Sequence, residues 1–195
     1  MPVEKCGDIC YEKCEGVYQP AEDTFLLMET LKPCGKVLEL GAGTGILAIY
    51  CAKRGFETDA SDISDAAIEC IKKNAAINKV NIKIIKSDLF HNINGLYDTI
   101  IFNPPYLPTQ DNLPGSEQWD GGMDGFAVIR RFLSGLKLHL SEEGSAFTIL
   151  SDLTDIKSII SEFSDLTFKP LKEVRFDFES IWSYMIKQGD DLADN

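Results

Sequence analysis

Asn103-Pro104-Pro105-Tyr106 stands directly after the apolar run Thr99-Ile100-Ile101-Phe102, and its residue types suit one task. Asn103 offers a side-chain carbonyl acceptor and Pro104 a backbone carbonyl. Pro104 and Pro105 together hold the backbone rigid, and Tyr106 presents a flat face. Such a set can take up a planar NH2 group, whose two hydrogens go to the Asn103 side chain and the Pro104 carbonyl while its plane packs on Tyr106. An amide or aromatic amine is a poor nucleophile because its lone pair is delocalised. Holding both hydrogens as the nitrogen pyramidalises therefore stabilises the transition state of an in-line displacement more than the ground state. No tuned general base is needed, in keeping with a motif that has neither His91 nor His139 beside it. The competing reading of two adjacent prolines is a plain turn.

A second group of residues looks built for a ligand that carries a ribose. Val37-Leu38-Glu39-Leu40 reads as a buried strand that runs into Gly41, Gly43 and Gly45 and then into a helix from Ile46. The dinucleotide fingerprint is G-x-G-x-x-G, and counted from Gly41 its third glycine would fall on Ile46, so the spacing here is a different one. Asp62 and Ile63 end the next strand, about 20 residues beyond Gly41, where an acid in a nucleotide-binding α/β unit accepts from ribose hydroxyls. Ser87-Asp88-Leu89 ends the third strand. The alternative for either acid is a solvated loop or a helix cap, with Asp65 a rival for the capping role before Ala66 and Ala67. Glu39 either orders the glycine loop through backbone N–H groups or approaches the ligand, and we place it in the ligand shell.

The elements that must position these residues alternate short β-branched runs with longer amphipathic stretches, the pattern of a parallel sheet with crossover helices. Strands are expected at Lys36 to Leu40, Glu57 to Ser61, Ile82 to Lys86, Asp98 to Phe102, Ser145 to Leu150, Phe168 to Val174 and Ile181 to Ile186. Helices are expected at Ala21 to Leu31, Ile46 to Arg54, Asp65 to Ile77, Gly125 to Leu140 and Thr154 to Phe163. The fold class is therefore α/β, with a seven-stranded, mostly parallel sheet and helices on both faces. Leu107 to Asp124 is rich in Pro and Gly, without a steady apolar period, and follows a strand end; it reads as a substrate lid. Trp182 and Tyr184 on the last strand read as core, and His91 and His139 as surface or satisfied core residues.

Composition bounds the function. The 195 residues hold 19 Lys and Arg against 31 Asp and Glu, a net charge of −12. Phosphate binding needs clustered bases, and here adjacent pairs are few, Lys72-Lys73 and Arg130-Arg131 among them, which makes nucleic acid the less favoured partner. The start lacks the basic and apolar regions of a signal peptide and no apolar run is long enough for a membrane span, so a cytoplasmic protein without a membrane partner is expected. The six cysteines read as free thiols. Cys34, Cys51 and Cys70 sit among apolar or helix-like residues and read as small hydrophobes. Cys6, Cys10 and Cys14 would line one face of a helix, but Gly7, Gly16 and the β-prone Val17-Tyr18 favour reduced cysteines in an extension or hairpin over a metal site. Three parts are expected: an N-terminal extension over 1–17, one domain over 18–188 and an acidic tail over 189–195.

The Gly41-x-Gly43-x-Gly45 loop after Glu39 resembles motif I of the class I S-adenosylmethionine-dependent methyltransferases. That resemblance implies a Rossmann-like fold, S-adenosyl-L-methionine as cofactor, and an acid at Asp88 facing the adenine amino group. Tyr18-Gln19-Pro20-Ala21-Glu22-Asp23-Thr24, Asn103-Pro104-Pro105-Tyr106 and Trp119-Asp120-Gly121-Gly122-Met123-Asp124-Gly125 are together similar to the HemK-type glutamine N5-methyltransferases, in their short archaeal and eukaryotic branch. The likeness runs from about Tyr18 to Lys187. It implies that the substrate is the glutamine of the Gly-Gly-Gln motif in a class 1 translation release factor, and that a small zinc-binding activator subunit is a partner. It also implies that Thr24 meets the cofactor carboxylate, with Gln19, Pro20 and Glu22 shaping the adjoining wall. Gly41, Gly43, Gly45, Asp62, Ile63, Ser87, Asp88, Leu89 and Asn103 would complete the cofactor surface. At Gln19 the sequence departs from the branch, which often has Glu there. The same Asn-Pro-Pro-Tyr chemistry would also serve adenine N6 or guanine N2 methylation in RNA or DNA. A silent cofactor-binding module and an NAD-dependent oxidoreductase are the readings from other classes; the intact catalytic motif opposes the first and the glycine spacing the second.

Overall fold

The computed structural model describes residues 3–105 and 126–189. The chain opens with an antiparallel hairpin, β1 (Val3–Cys6) and β2 (Ile9–Glu12). After it come α1 (Glu22–Thr30), β3 (Val37–Leu40), α2 (Ile46–Lys53), β4 (Thr58–Asp62), α3 (Asp65–Asn78), β5 (Lys83–Lys86) and β6 (Tyr97–Phe102). The remainder is α4 (Ala127–His139), β7 (Leu140–Ser151), α5 (Ile156–Glu162), β8 (Leu166–Arg175) and β9 (Ser180–Gln188).

Seven strands form one sheet in the order β5-β4-β3-β6-β7-β9-β8. Strands β3 to β7 pair in parallel, and β9 runs against both β7 and β8. The period-two alternation of side chains sorts each strand between two apolar layers. Val37 and Ile101 face a layer with Leu27 of α1, Leu47 of α2 and Ile71 of α3. Leu38, Leu40, Ile100 and Phe102 face the other, with Phe132 of α4 and Ile159 of α5. Burial on both faces is why β3 and β6 read as nearly continuous apolar runs. Trp182 and Tyr184 pack into the second layer, in the core role expected of them. His139 stacks on Phe90 with ring centroids 4.5 Å apart.

The strand order reverses at β3, with β4 and β5 laid to one side of it and β6 to the other. In open α/β sheets the crevice beyond the carboxyl ends at such a reversal is where ligands bind. Leu40 is in register with Phe102, so the next residues, Gly41 and Asn103, leave the sheet side by side. This register brings the two sequence motifs to one place.

Some details depart from expectation. Strand β7 was expected from Ser145, yet it begins at Leu140, which pairs with Tyr97 before the register shifts to Ser145 opposite Thr99. The polar stretch Ser141-Glu142-Glu143-Gly144 looks like a turn in sequence, but it continues the strand on the far side of that irregularity. Helix α5 is shorter than expected because Asp155 caps it, accepting from the Ser158 N–H at 3.1 Å. The free-thiol reading fails for two cysteines, since Cys14 and Cys70 form a disulfide. Cys14 follows β2, which lies along α3, and the pairing joins positions 56 residues apart that no local spacing links. Cys51 is the buried small hydrophobe expected, whereas Cys34 is exposed beside the Gly35 turn.

The hairpin is bound to the domain behind it. Asn74 and Asn78, one turn apart on α3, each exchange hydrogen bonds with β2 as a neighbouring strand would. Asn74 accepts from the Glu12 N–H at 2.8 Å and donates to the Glu12 carbonyl at 3.3 Å. Asn78 accepts from the Cys10 N–H at 3.0 Å and donates to the Cys10 carbonyl. Ile9 and Tyr11 lie in the core layer with α2 and α3. Tyr106, the expected lid Leu107 to Asp124, the Trp119 to Gly125 segment and residues 190–195 lie outside the described residues.

Candidate active site

The glycine loop is held by two acidic side chains. Helix α2 starts at Gly45, which is left-handed at φ 76° and has no side chain to cap the helix. Glu39 takes that role from inside the sheet, accepting from the Ala48 N–H at 2.7 Å. It is 4% exposed, and burial pushes its pKa up to about 8. Asp62, at the end of β4, accepts from the Gly43 N–H at 2.9 Å with one oxygen and from the Ser64 N–H at 2.9 Å with the other. The cap of α3 is Ser64, which accepts from Ala67 N–H, and not Asp65. Asp65 points outward to Lys86 at 2.7 Å.

Beyond β5, Ser87 folds its turn by donating to the Leu89 carbonyl at 2.7 Å and accepting from the Asn92 N–H at 2.9 Å. Asp88 faces Arg131 of α4 at 2.8 Å. The exposed side chain of Ile63 and that of Leu89 supply apolar surface between the two acids.

On the other side of the glycine loop lies the segment before α1. Asp23 is buried and accepts from the Tyr18 hydroxyl at 2.8 Å, the Asn103 side-chain N–H at 3.0 Å and the Thr24 hydroxyl at 3.1 Å. Asn103 also lies 3.5 Å from the Thr24 hydroxyl. The carbonyl oxygen of Asn103 is buried and has no hydrogen-bond partner among the described residues. Such an atom costs about 1–3 kcal/mol, and Asn103 is part of the wall of the cavity that all these groups surround.

That cavity measures about 480 Å³, within the range of small-molecule and cofactor sites. Its walls include Thr24, Glu39, Gly41, Gly43, Asp62, Ile63, Ser87, Asp88, Leu89, Asn103, Pro104 and Pro105. Of the residues expected from sequence, Gln19, Glu22 and Gly45 are not in the wall, and Glu22 stands at the exposed start of α1. Gln19 turns inward and donates to the carbonyls of Cys14 and Val17, which fixes the bend ahead of α1. Gly45 sits one step behind, where a Cβ would come within 3.0 Å of Ile71. Asp23, Val17, Tyr18 and Arg131 line the cavity without having been singled out as site residues. The signal for Asp23 was an acid beside Thr24 in the first turn of a helix, which the helix dipole alone also explains.

The donor set fits S-adenosylmethionine. Gly41 and Gly43 line the cavity, and a Cβ at Gly41 would lie 3.3 Å from Phe102. The two acids stand at the ends of neighbouring strands.

The chain matches the methyltransferase small domain family model over residues 19–175. It is 41% identical over 160 residues to a Methanocaldococcus jannaschii protein named for protein N5-glutamine methylation, a match covering 78% of this chain and 81% of that one. It is 32% identical over 168 residues to methyltransferase HEMK2 of Mus musculus, covering 76% and 78% of the two chains. Among solved structures, the E. cuniculi Mtq2–Trm112 complex responsible for methylation of the eRF1 termination factor aligns with a TM-score of 0.70 at 23% identity, covering 89% of this chain and 99% of that one. This likeness shows a shared class I methyltransferase fold. Carrying the family's domain across most of its length, with a glycine loop and an Asn-Pro-Pro turn at one sheet reversal, the chain belongs to the HemK-type N5-glutamine methyltransferases, which depend on S-adenosylmethionine.

Proposed function

We propose that this enzyme methylates the side-chain amide nitrogen of the glutamine in the Gly-Gly-Gln motif of a class 1 translation release factor. The observation that carries the reading is the Asn103 carbonyl, buried and without a partner among the described residues, on a residue that lines the cavity. An amide NH2 brought there supplies the missing donor. The naming of the M. jannaschii relative and the eRF1 substrate of the Mtq2 complex support the same acceptor. The net charge of −12 opposes a nucleic-acid acceptor.

In this reading Asp62 holds the ribose hydroxyls of the cofactor and Asp88 the adenine amino group, with Ile63 and Leu89 against the base; the Thr24 hydroxyl would meet the carboxylate by turning its hydrogen away from Asp23. When bound, the cofactor supplies an electrophilic methyl group on a positively charged sulfur. Asn103 Oδ1 and the Pro104 carbonyl accept the two N–H groups of the acceptor amide, and Tyr106 packs on its plane. As the nitrogen takes the methyl group and the methyl carbon–sulfur bond breaks, the nitrogen loses amide resonance and gains positive charge, so both hydrogen bonds strengthen in the transition state; one N–H proton then leaves to solvent and restores the neutral amide. A small activator subunit, of the zinc-binding kind the sequence resemblance implies, is inferred as a partner; the Mtq2–Trm112 pairing supports it.

The test uses methyl-labelled cofactor, a purified release factor and its variant with the Gly-Gly-Gln glutamine replaced, each with wild-type enzyme and Asn103→Ala, with and without a candidate activator. Label that protease removes, that needs the glutamine and that Asn103→Ala abolishes is the expected result. Label that appears in RNA or DNA of a cell extract and is removed by nuclease overturns the reading.

A further inference from the structure

We infer that Asp23 is a positioning residue for the methyl transfer, setting which end of the Asn103 amide faces the acceptor nitrogen. The inference deepens the function proposed above and rests on it. An asparagine side chain is two-ended: its carbonyl accepts, its NH2 donates, and the two ends have nearly the same shape. An acceptor amide offers two N–H donors, so only the carbonyl end of Asn103 can hold it. The flipped side chain would set donor against donor.

A carboxylate accepts and does not donate, so Asp23 distinguishes the two ends. The Asn103 Nδ2 group donates to Asp23 Oδ2 at 3.0 Å. Turning the amide over would place two acceptor oxygens at that distance. The Thr24 hydroxyl does not enforce the choice, because a hydroxyl can donate or accept, and here it donates to Asp23.

The Asp23 side chain is itself immobilised. It is 4% exposed. Its Oδ2 also accepts from the Tyr18 hydroxyl at 2.8 Å, and its Oδ1 accepts from the Thr24 hydroxyl and backbone N–H. It stands in the first turn of α1, where the helix dipole favours a negative charge. The contact between Asp23 and Asn103 spans 80 residues of sequence, so docking of α1 against the end of β6 sets the amide before any ligand arrives. This preorganisation spares the reaction the cost of selecting one amide orientation from two.

The discriminating variant is Asp23→Asn, which keeps the shape but replaces an acceptor-only group with one that is itself two-ended. Single-turnover rates at saturating cofactor are measured for Asp23→Asn, Asn103→Ala and the double variant, with cofactor affinity by calorimetry and melting temperature for each. The expected result is a rate loss of about tenfold or more for Asp23→Asn with cofactor affinity within about threefold, and a double variant no slower than Asn103→Ala alone. Tyr18→Phe, which removes one tether of Asp23, is expected to slow turnover about two- to threefold and to add nothing in the Asp23→Asn background. Losses that multiply in the double variant, a loss that falls on cofactor affinity instead of rate, or an unchanged Asp23→Asn rate each overturn the role of Asp23 while leaving the proposed function standing. Wild-type turnover by Asn103→Ala overturns that function, and the inference with it.

Discussion

The carboxyl group of Glu39 accepts from the backbone N–H of Ala48 at 2.7 Å, so a strand residue caps the helix that Gly45 opens without a side chain of its own. Burial raises the pKa of Glu39 from 4.5 to about 8. The unfolded chain therefore releases this proton near pH 4.5 while the folded chain keeps it to about pH 8. Across that window the folded state binds more protons, and its stability falls as the pH rises, levelling off once Glu39 is ionised in both states. Glu39→Gln removes the titration and keeps a carbonyl for Ala48. Urea unfolding between pH 5.5 and 8.5 should show the wild type losing on the order of 3 kcal/mol relative to the variant. Parallel curves would mean that Glu39 ionises in the folded chain as an ordinary carboxylate does.

Asp62 has a double task, and removing it should have a double effect. It joins the glycine loop to α3 through the N–H groups of Gly43 and Ser64, and its remaining lone pairs are proposed to receive the ribose. Charge-assisted hydrogen bonds are each worth about 1.5–3 kcal/mol, so Asp62→Ala should weaken cofactor binding by about 10- to 100-fold in calorimetry. Unchanged affinity would place the ribose elsewhere in the cavity.

Two left-handed glycines separate backbone strain from crowding. Gly55 has φ 88° and open space where a Cβ would be, whereas Gly45 has φ 76° and Ile71 only 3.0 Å from that position. Alanine at either site costs about 1–2 kcal/mol for the backbone alone. Gly45→Ala should cost about 1 kcal/mol more, because Ile71 lies in the core and has little room to move. The comparison is between two denaturation midpoints. Equal losses would show that Ile71 yields without cost.

The sheet was legible where its strands obey local rules: β3 and β6, buried on both faces, read as apolar runs closed by Gly41 and Asn103, whereas β4 is buried with Thr58, Asp59 and Ser61 in it and was marked by its place in the alternation. The two motifs were legible for the same reason, since each is a short stretch in which residue type and spacing carry the chemistry. What the sequence hid depends on contacts between distant segments. Asp23 looks like an acid favoured by the helix dipole until the first turn of α1 is brought to the residue that follows β6, and only then does its carboxylate meet Asn103. Gln19 sits inside a motif that implies the cofactor wall, yet its amide turns to the carbonyls of Cys14 and Val17. Cys14 and Cys70 look like members of two unrelated groups, one in a hairpin and one on a helix, because nothing near either residue encodes the other.

That last contact yields a prediction about the hairpin as a whole. Asn74 is fully buried, and its amide serves both Glu12 and the Thr44 carbonyl, the latter at 3.0 Å. It therefore ties β2 and the glycine loop to one side chain. Asn74→Ala leaves those backbone groups without their side-chain partner and should cost about 2–4 kcal/mol. The Cys14–Cys70 disulfide lies one turn away on the same face of α3 and closes a loop of 56 residues in separation; its reduction should cost about 2–4 kcal/mol, or roughly 5–15 °C in melting temperature. Both act on one contact, so reduction should cost the Asn74→Ala variant less than it costs the wild type. Because Gly16 and Val17, just beyond Cys14, line the cavity, each change should also weaken cofactor binding. Thermal unfolding with and without a thiol reductant, on wild type, Asn74→Ala and Cys70→Ser, checks all of this. A wild type that melts at the same temperature under both conditions, alongside an equally stable Cys70→Ser, would show that the asparagine bonds hold the hairpin without help from the disulfide.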